Sequence, residues 1–95
     1  MSESTLQTKV IKYLKSKQCD AVLKLTPMPG IPTGFPDILF LKDGFWGCIE
    51  LKASRTAPFR PLQPEWLKRL DKASWARACY PENWQNIKAE LNTLL

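Results

Sequence analysis

The sequence predicts an α/β fold: a mixed, mainly four-stranded sheet flanked by three helices, in the order αβββαβα. Three observations carry this. Asp37 to Leu41 and Phe45 to Leu51 are apolar runs rich in strand formers, and Asp43-Gly44 between them is a strong hairpin signal. Both hairpin faces are apolar, with Leu39, Leu41, Trp46 and Cys48 on one and Ile38, Phe40, Phe45 and Ile49 on the other. Helices should therefore cover the sheet on both sides. Runs of helical period stand before and after the hairpin.

Leu6, Val10, Tyr13 and Leu14 recur at helical spacing, with Lys9, Lys12, Lys15 and Lys17 on the remaining surface, so residues 4–17 form an amphipathic helix. Ser4 with Gln7 fits a capping box, and Ser2 is the alternative cap. Ala21 to Leu25 reads as a short strand. Thr26 to Thr33 holds three prolines and Gly30, which makes a rigid loop leading into Gly34. Beyond the hairpin, Ala53 to Leu62 is a second loop, with Arg55, Phe59 and Arg60. Pro64 suits the first turn of a helix whose apolar positions are Trp66, Leu67, Leu70 and Ala73. Trp75 to Tyr80 reads as a strand, and Pro81 starts a last helix with Trp84, Ile87, Leu91 and Leu94 on one stripe. The tryptophans read as core.

At 95 residues, 44% hydrophobic, the chain is one domain spanning 1–95 with enough apolar bulk for a single core. Three cysteines without ligand-like spacing and no histidine argue against a disulfide framework, a Cys/His zinc site and His-based catalysis. Any enzyme here must work with carboxylates, lysines and a metal. No apolar run approaches a membrane span of about 20 residues, and Met1 to Thr8 is too polar for a signal peptide. A cytoplasmic location is expected. The net charge of +5 is compatible with a polyanionic partner.

The hairpin also places chemistry. With Asp43-Gly44 as the turn, Lys42 meets Phe45, and the ladder continues until Asp37 stands opposite Glu50, Cβ atoms about 4.5–5.5 Å apart. Side chains alternate, so Lys52 shares their face about 6.5 Å further along. Two acids held together at the end of an apolar surface repel each other and are poorly placed without a partner. A hard divalent cation between them would offset the repulsion. With Lys52 beside it, the set is the apparatus of metal-assisted phosphodiester hydrolysis. A Glu-x-Lys tripeptide by itself reads as a solvated ion pair; the register favours the site.

Pro36-Asp37 followed after a hairpin by Glu50-Leu51-Lys52 resembles the motif of the PD-(D/E)XK nuclease superfamily. Glu3 near a first helix, Gly34-x-Pro36-Asp37, Ile49-Glu50-Leu51-Lys52 and Gln63 opening a later helix together resemble the VRR-NUC domain, over most of the chain. The resemblance implies a restriction-endonuclease-like core and a Mg²⁺- or Mn²⁺-dependent deoxyribonuclease. It implies metal ligation by Asp37, Glu50 and the Leu51 carbonyl, with Glu3 assisting, and a catalytic Lys52. Gln63 would point toward the scissile phosphate. Under this reading Lys9, Lys12, Gly34, Arg55 and Arg60 are candidate DNA contacts. The expected function is a DNA endonuclease, with branched or junction DNA as candidate substrates. The small size suggests a homodimer. The alternatives are a non-catalytic nucleic-acid-binding module with the same fold, and an interaction protein whose three charges form a structural cluster indifferent to metal.

Overall fold

The computed structural model describes residues 2–95. The elements run α1 (Glu3–Ser16), β1 (Ala21–Lys24), β2 (Ile38–Lys42), β3 (Phe45–Leu51), α2 (Gln63–Ala73), β4 (Ala76–Cys79) and α3 (Trp84–Leu94). The sheet has the order β1-β2-β3-β4, antiparallel until β4 joins β3 in parallel. Both the αβββαβα order and the mixed four-stranded sheet match the sequence reading.

The hairpin register is set at its turn. Asp43 (φ 50°) and Gly44 (φ 83°) are both left-handed, as a type I′ turn requires. Lys42 consequently pairs with Phe45 and Ile38 with Ile49. Asp43 further donates its N–H to Asp20 Oδ2 at 2.9 Å, which ties the turn to the start of β1.

One sheet face carries the core. Ile38, Phe40, Ile49 and Leu51 meet Leu6, Val10 and Leu14 of α1 and Trp84, Ile87 and Leu91 of α3, with Trp75 and Cys79 completing a buried cluster. The helical stripes of α1 and α3 thus fall where their spacing put them. Tyr13 and Trp84 seal the α1–α3 contact edge to face at 5.7 Å. Arg77 of β4 forms ion pairs with Asp71 of α2 and Glu90 of α3, and Trp75 Nε1 donates to Glu90 at 2.9 Å. No helix among the described residues is long and apolar enough to cross a membrane.

Several expectations need correction. The second sheet face is only partly covered, because α2 packs on β3 and β4 and leaves Leu23 and Leu41 exposed at the β1–β2 side. On α2 the buried residue is Gln63; Trp66, Leu67 and Leu70 are half-buried and Ala73 is exposed. The last helix starts at Trp84 rather than Pro81. Asn83 accepts from Tyr80 N at 2.9 Å and donates to Ala78 O at 3.0 Å, which holds Pro81 in a turn before the helix. Leu94 is exposed. Ser2, not Ser4, caps α1, its Oγ accepting from Thr5 N at 3.1 Å. Of the four tryptophans, Trp75 and Trp84 are core, whereas Trp46 and Trp66 are half-buried.

Gly47 is a packing glycine. A Cβ there would lie 2.9 Å from both Phe40 Cε1 and Trp75 Cε3, and neither buried ring has room to retreat. Gly47→Ala should therefore destabilise the protein by about 1–3 kcal/mol through overpacking. A urea titration of both proteins measures it, and an unchanged midpoint would contradict this packing.

Candidate active site

Glu50 lies at the end of β3, Lys52 just beyond it, and Gln63 opens α2. All three are nearly inaccessible, at 3%, 8% and 1% exposure. Polar groups this deeply buried require partners, and here they partner one another. Gln63 Nε2 donates to Glu50 Oε2 at 2.8 Å. Gln63 Oε1 accepts from Lys52 Nζ at 2.9 Å and from Arg60 N at 2.8 Å. The amide orientation follows from chemistry, since an ammonium can only donate and a carboxylate only accept. Lys52 Nζ also donates to Pro58 O at 2.9 Å and sits 4.4 Å from the centre of the Phe59 ring. Loop 53–62 and α2 thereby hold the lysine from two directions.

Asp37 stands just before β2, where one further step of the Ile38–Ile49 register sets it against Glu50. Its Oδ2 accepts from Leu51 N at 2.8 Å. Burial, then the neighbouring Asp37 charge, push the Glu50 carboxyl up to about 7, against the opposing pull of Lys52 and Arg60. Among the described residues the other carboxylate oxygen, Glu50 Oε1, is buried with no hydrogen-bond partner. A buried acceptor left unmatched beside a second acid is a marked departure from how polar atoms are normally satisfied.

The position of Gln63 depends on two backbone features. Gly34 is left-handed (φ 85°), and a Cβ on it would come within 3.0 Å of Gln63 N, Leu62 C and Leu62 Cβ. The absence of a side chain at Gly34 is what lets the start of α2 lie against the 26–36 loop. Leu62, immediately before Gln63, is itself left-handed (φ 71°), a costly conformation for a branched residue that is half exposed. Phe35 and Trp66, edge to face at 5.4 Å, lock the same contact.

Two adjoining cavities open onto this network. Glu3, Glu50, Leu51, Lys52, Arg60 and Gln63 line one; the proline-rich loop, Gly34, Asp37 and Arg60 line the other. Arg60 borders both. The structure therefore gathers Glu3, Gly34, Asp37, Glu50, Leu51, Lys52, Arg60 and Gln63. Arg55 lies apart, its backbone N–H donating to Glu82 Oε2 at 3.2 Å. Lys9 and Lys12 line a separate groove between α1 and α3. Sequence reasoning did not identify Pro58 as a partner of Lys52, or Leu62 as a strained support. A backbone carbonyl and a φ angle leave no mark in a single sequence.

Among the described residues no three His, Cys, Asp or Glu side chains gather as a metal cluster. The donor set is the Asp37–Glu50 pair, and it suits a hard cation: both are oxygen donors, and one of the oxygens is buried and unmatched. The cysteines do not contribute. All are free, and burial pushes Cys48 up to about 11 and Cys79 to about 12.

The mixed sheet, with a carboxylate pair and a lysine at the end of its central hairpin, has the fold of a VRR_NUC domain. A solved structure titled "VRR_NUC domain protein" superposes with a TM-score of 0.70 at 19% identity, over 98% of this chain and 87% of that one. No protein-family model matches the chain, and no curated protein sequence does.

Gly34→Ala adds strain at a left-handed position and crowds the α2 backbone, so it should cost at least about 1–2 kcal/mol in urea unfolding. Leu62→Gly, which relieves the neighbouring strain at some entropic cost, should change stability by less than about 1 kcal/mol. Equal losses in the two variants would refute the close-approach account. A second expectation concerns pH in EDTA. An acid whose folded pKa is raised contributes stability that is present below its unfolded value and lost as pH rises through about 7. Thermal melts of the parent should fall between pH 5 and 8, and those of Glu50→Gln should stay flatter. Burial raises the Glu90 pKa, but hydrogen bonds from Arg77 and Trp75 outweigh it and leave Glu90 lowered, so its titration falls below this window. Parallel curves for the two proteins would show that Glu50 is not held in this environment.

Proposed function

We propose that this chain is a divalent-metal-dependent endonuclease that hydrolyses DNA phosphodiester bonds. The observation that carries the reading is the opposition of half-buried Asp37 to buried Glu50, whose Oε1 is unmatched among the described residues, next to a lysine held in place by Gln63. The likeness to a protein titled as a VRR_NUC domain agrees with it, since that title names a nuclease-type domain. The basic net charge suits a DNA partner.

Asp37 and Glu50 would hold Mg²⁺ or Mn²⁺, with the Leu51 carbonyl as a further oxygen donor; Glu3, expected to assist, lines the same cavity as Glu50 but does not gather with the two acids as a third ligand. When bound, such an ion polarises a phosphate oxygen and lowers the pKa of a coordinated water. The chain supplies the rest. Lys52, fixed by Pro58 O and Gln63 Oε1, presents a positive charge that needs no reorganisation as negative charge develops on the phosphate. Gln63 keeps that ammonium from collapsing onto Glu50 and leaves one carboxylate oxygen available. Arg60, at the border of the two cavities, would pair with a non-bridging phosphate oxygen. A domain this small covers little of a duplex, which favours two copies acting together and a branched or junction substrate.

Incubation with supercoiled plasmid and a labelled four-way junction, in Mg²⁺, Mn²⁺ or EDTA, tests the proposal. Cleavage should need metal, vanish in Glu50→Ala, and slow by about 100-fold or more in Lys52→Ala. Asp37→Asn should lose cleavage yet bind DNA at least as tightly, because a negative charge facing phosphate has gone. DNA that is bound but never cut, in either metal, would identify a binding module instead.

A further inference from the structure

The groove between α1 and α3 is lined by Lys9, Lys12, Lys17 and Lys88, with Tyr13 and Trp84 among its walls. Among the described residues no acidic side chain lines it, and none of these lysines is in an ion pair. Each of the two helices carries a single acid, and both acids are engaged elsewhere. Glu3 lines the catalytic cavity, and Glu90 is bonded by Arg77 and Trp75.

The groove is also partly ordered in advance. Tyr13 donates from its hydroxyl to Lys88 O at 3.3 Å and packs edge-on against buried Trp84. The Lys17 and Lys88 ammonium groups lie 5.5 and 5.4 Å from the centre of the Tyr13 ring. Lys17 Nζ also donates to Asn92 Oδ1. Two cations gathered at one ring lose less side-chain freedom on meeting an anion than free surface lysines do.

Position along α1 relates this groove to the catalytic cavity. At about 1.5 Å per residue, Lys9 to Lys17 lie about 9 to 21 Å along the helix from Glu3. Duplex DNA advances about 3.4 Å per nucleotide along each strand. We propose that the groove is a second DNA-contact surface, holding the phosphate backbone about three to six nucleotides from the scissile bond. The distance to the cut rests on the nuclease reading; the groove's affinity for DNA does not. Four ammonium groups outnumber the polar side chains Ser16 and Gln85 in the lining, and ammonium contacts to phosphate supply affinity independent of sequence.

The test uses the whole chain with Lys12→Gln, Lys17→Gln and Lys88→Gln combined, and measures anisotropy in EDTA across a salt series. On a duplex of about 20 base pairs the slope of log K against log salt should flatten by about 2–3, near 0.9 per lost phosphate contact. A duplex too short to leave the catalytic cavity should be little affected, and the same three positions changed to Arg should restore the slope. If the protein cleaves, KM for the long duplex should rise with kcat unchanged. Absence of cleavage beside a flattened slope would overturn the nuclease reading and keep the groove. An unchanged slope, equal weakening on long and short duplexes, or binding of labelled polyglutamate without any binding of DNA would overturn the groove.

Discussion

The register between β2 and β3 is the constraint from which both core and site follow. Two left-handed residues, Asp43 and Gly44, close the turn, and every pair beyond them is then determined. Because strand side chains alternate with a period of two, a slip of one strand by one residue would turn either Ile38 and Phe40 or Ile49 and Leu51 away from α1 and α3. The same slip would swing that strand's acid, Asp37 or Glu50, into the core. Roughly a dozen buried apolar side chains therefore hold two like charges in opposition. The repulsion is a by-product of correct folding, sustained by hydrophobic burial on the other side of the same strands.

An amide rather than a direct ion pair joins the lysine to the acid. A buried Lys–Glu contact would neutralise both groups, and desolvation would offset much of its gain. Gln63 satisfies Glu50 Oε2 and Lys52 Nζ at once while leaving the charges distinct. The support for that amide is backbone geometry at Gly34 and Leu62, and strain of this kind persists only where surrounding structure over-determines it. The Phe35–Trp66 contact and the burial of Gln63 provide that over-determination.

Local chemistry explains what could be read in advance. The hairpin was legible because an Asp-Gly turn between two strand-forming runs has few alternatives, and with it came the opposition of Asp37 and Glu50. The stripes of α1 and α3 were legible because helical period survives in sequence. Where two local signals competed, the reading failed: Pro81 looks like a helix start, but the Asn83 side chain bonds the preceding turn and delays the helix. Leu41 reads as covered because it lies on an apolar hairpin face, yet α2 packs on β3 and β4 and leaves it exposed, with Leu23 beside it. Gln63 could be placed at a helix start from the residues and near the reaction only through resemblance. Its central position among Glu50, Lys52 and Arg60 arises from a tertiary approach with no local trace.

The parallel pairing of β4 with β3 has a consequence in time. The β1-β2-β3 meander needs only neighbouring segments of chain, whereas β4 can pair only after the loop and α2 have crossed the sheet. Gln63 arrives with that crossover. A chain emerging from synthesis therefore has its two acids available for pairing before Gln63 can reach Lys52. The last long-range closure of the fold completes the constellation, and a partly built chain carries the parts without their arrangement.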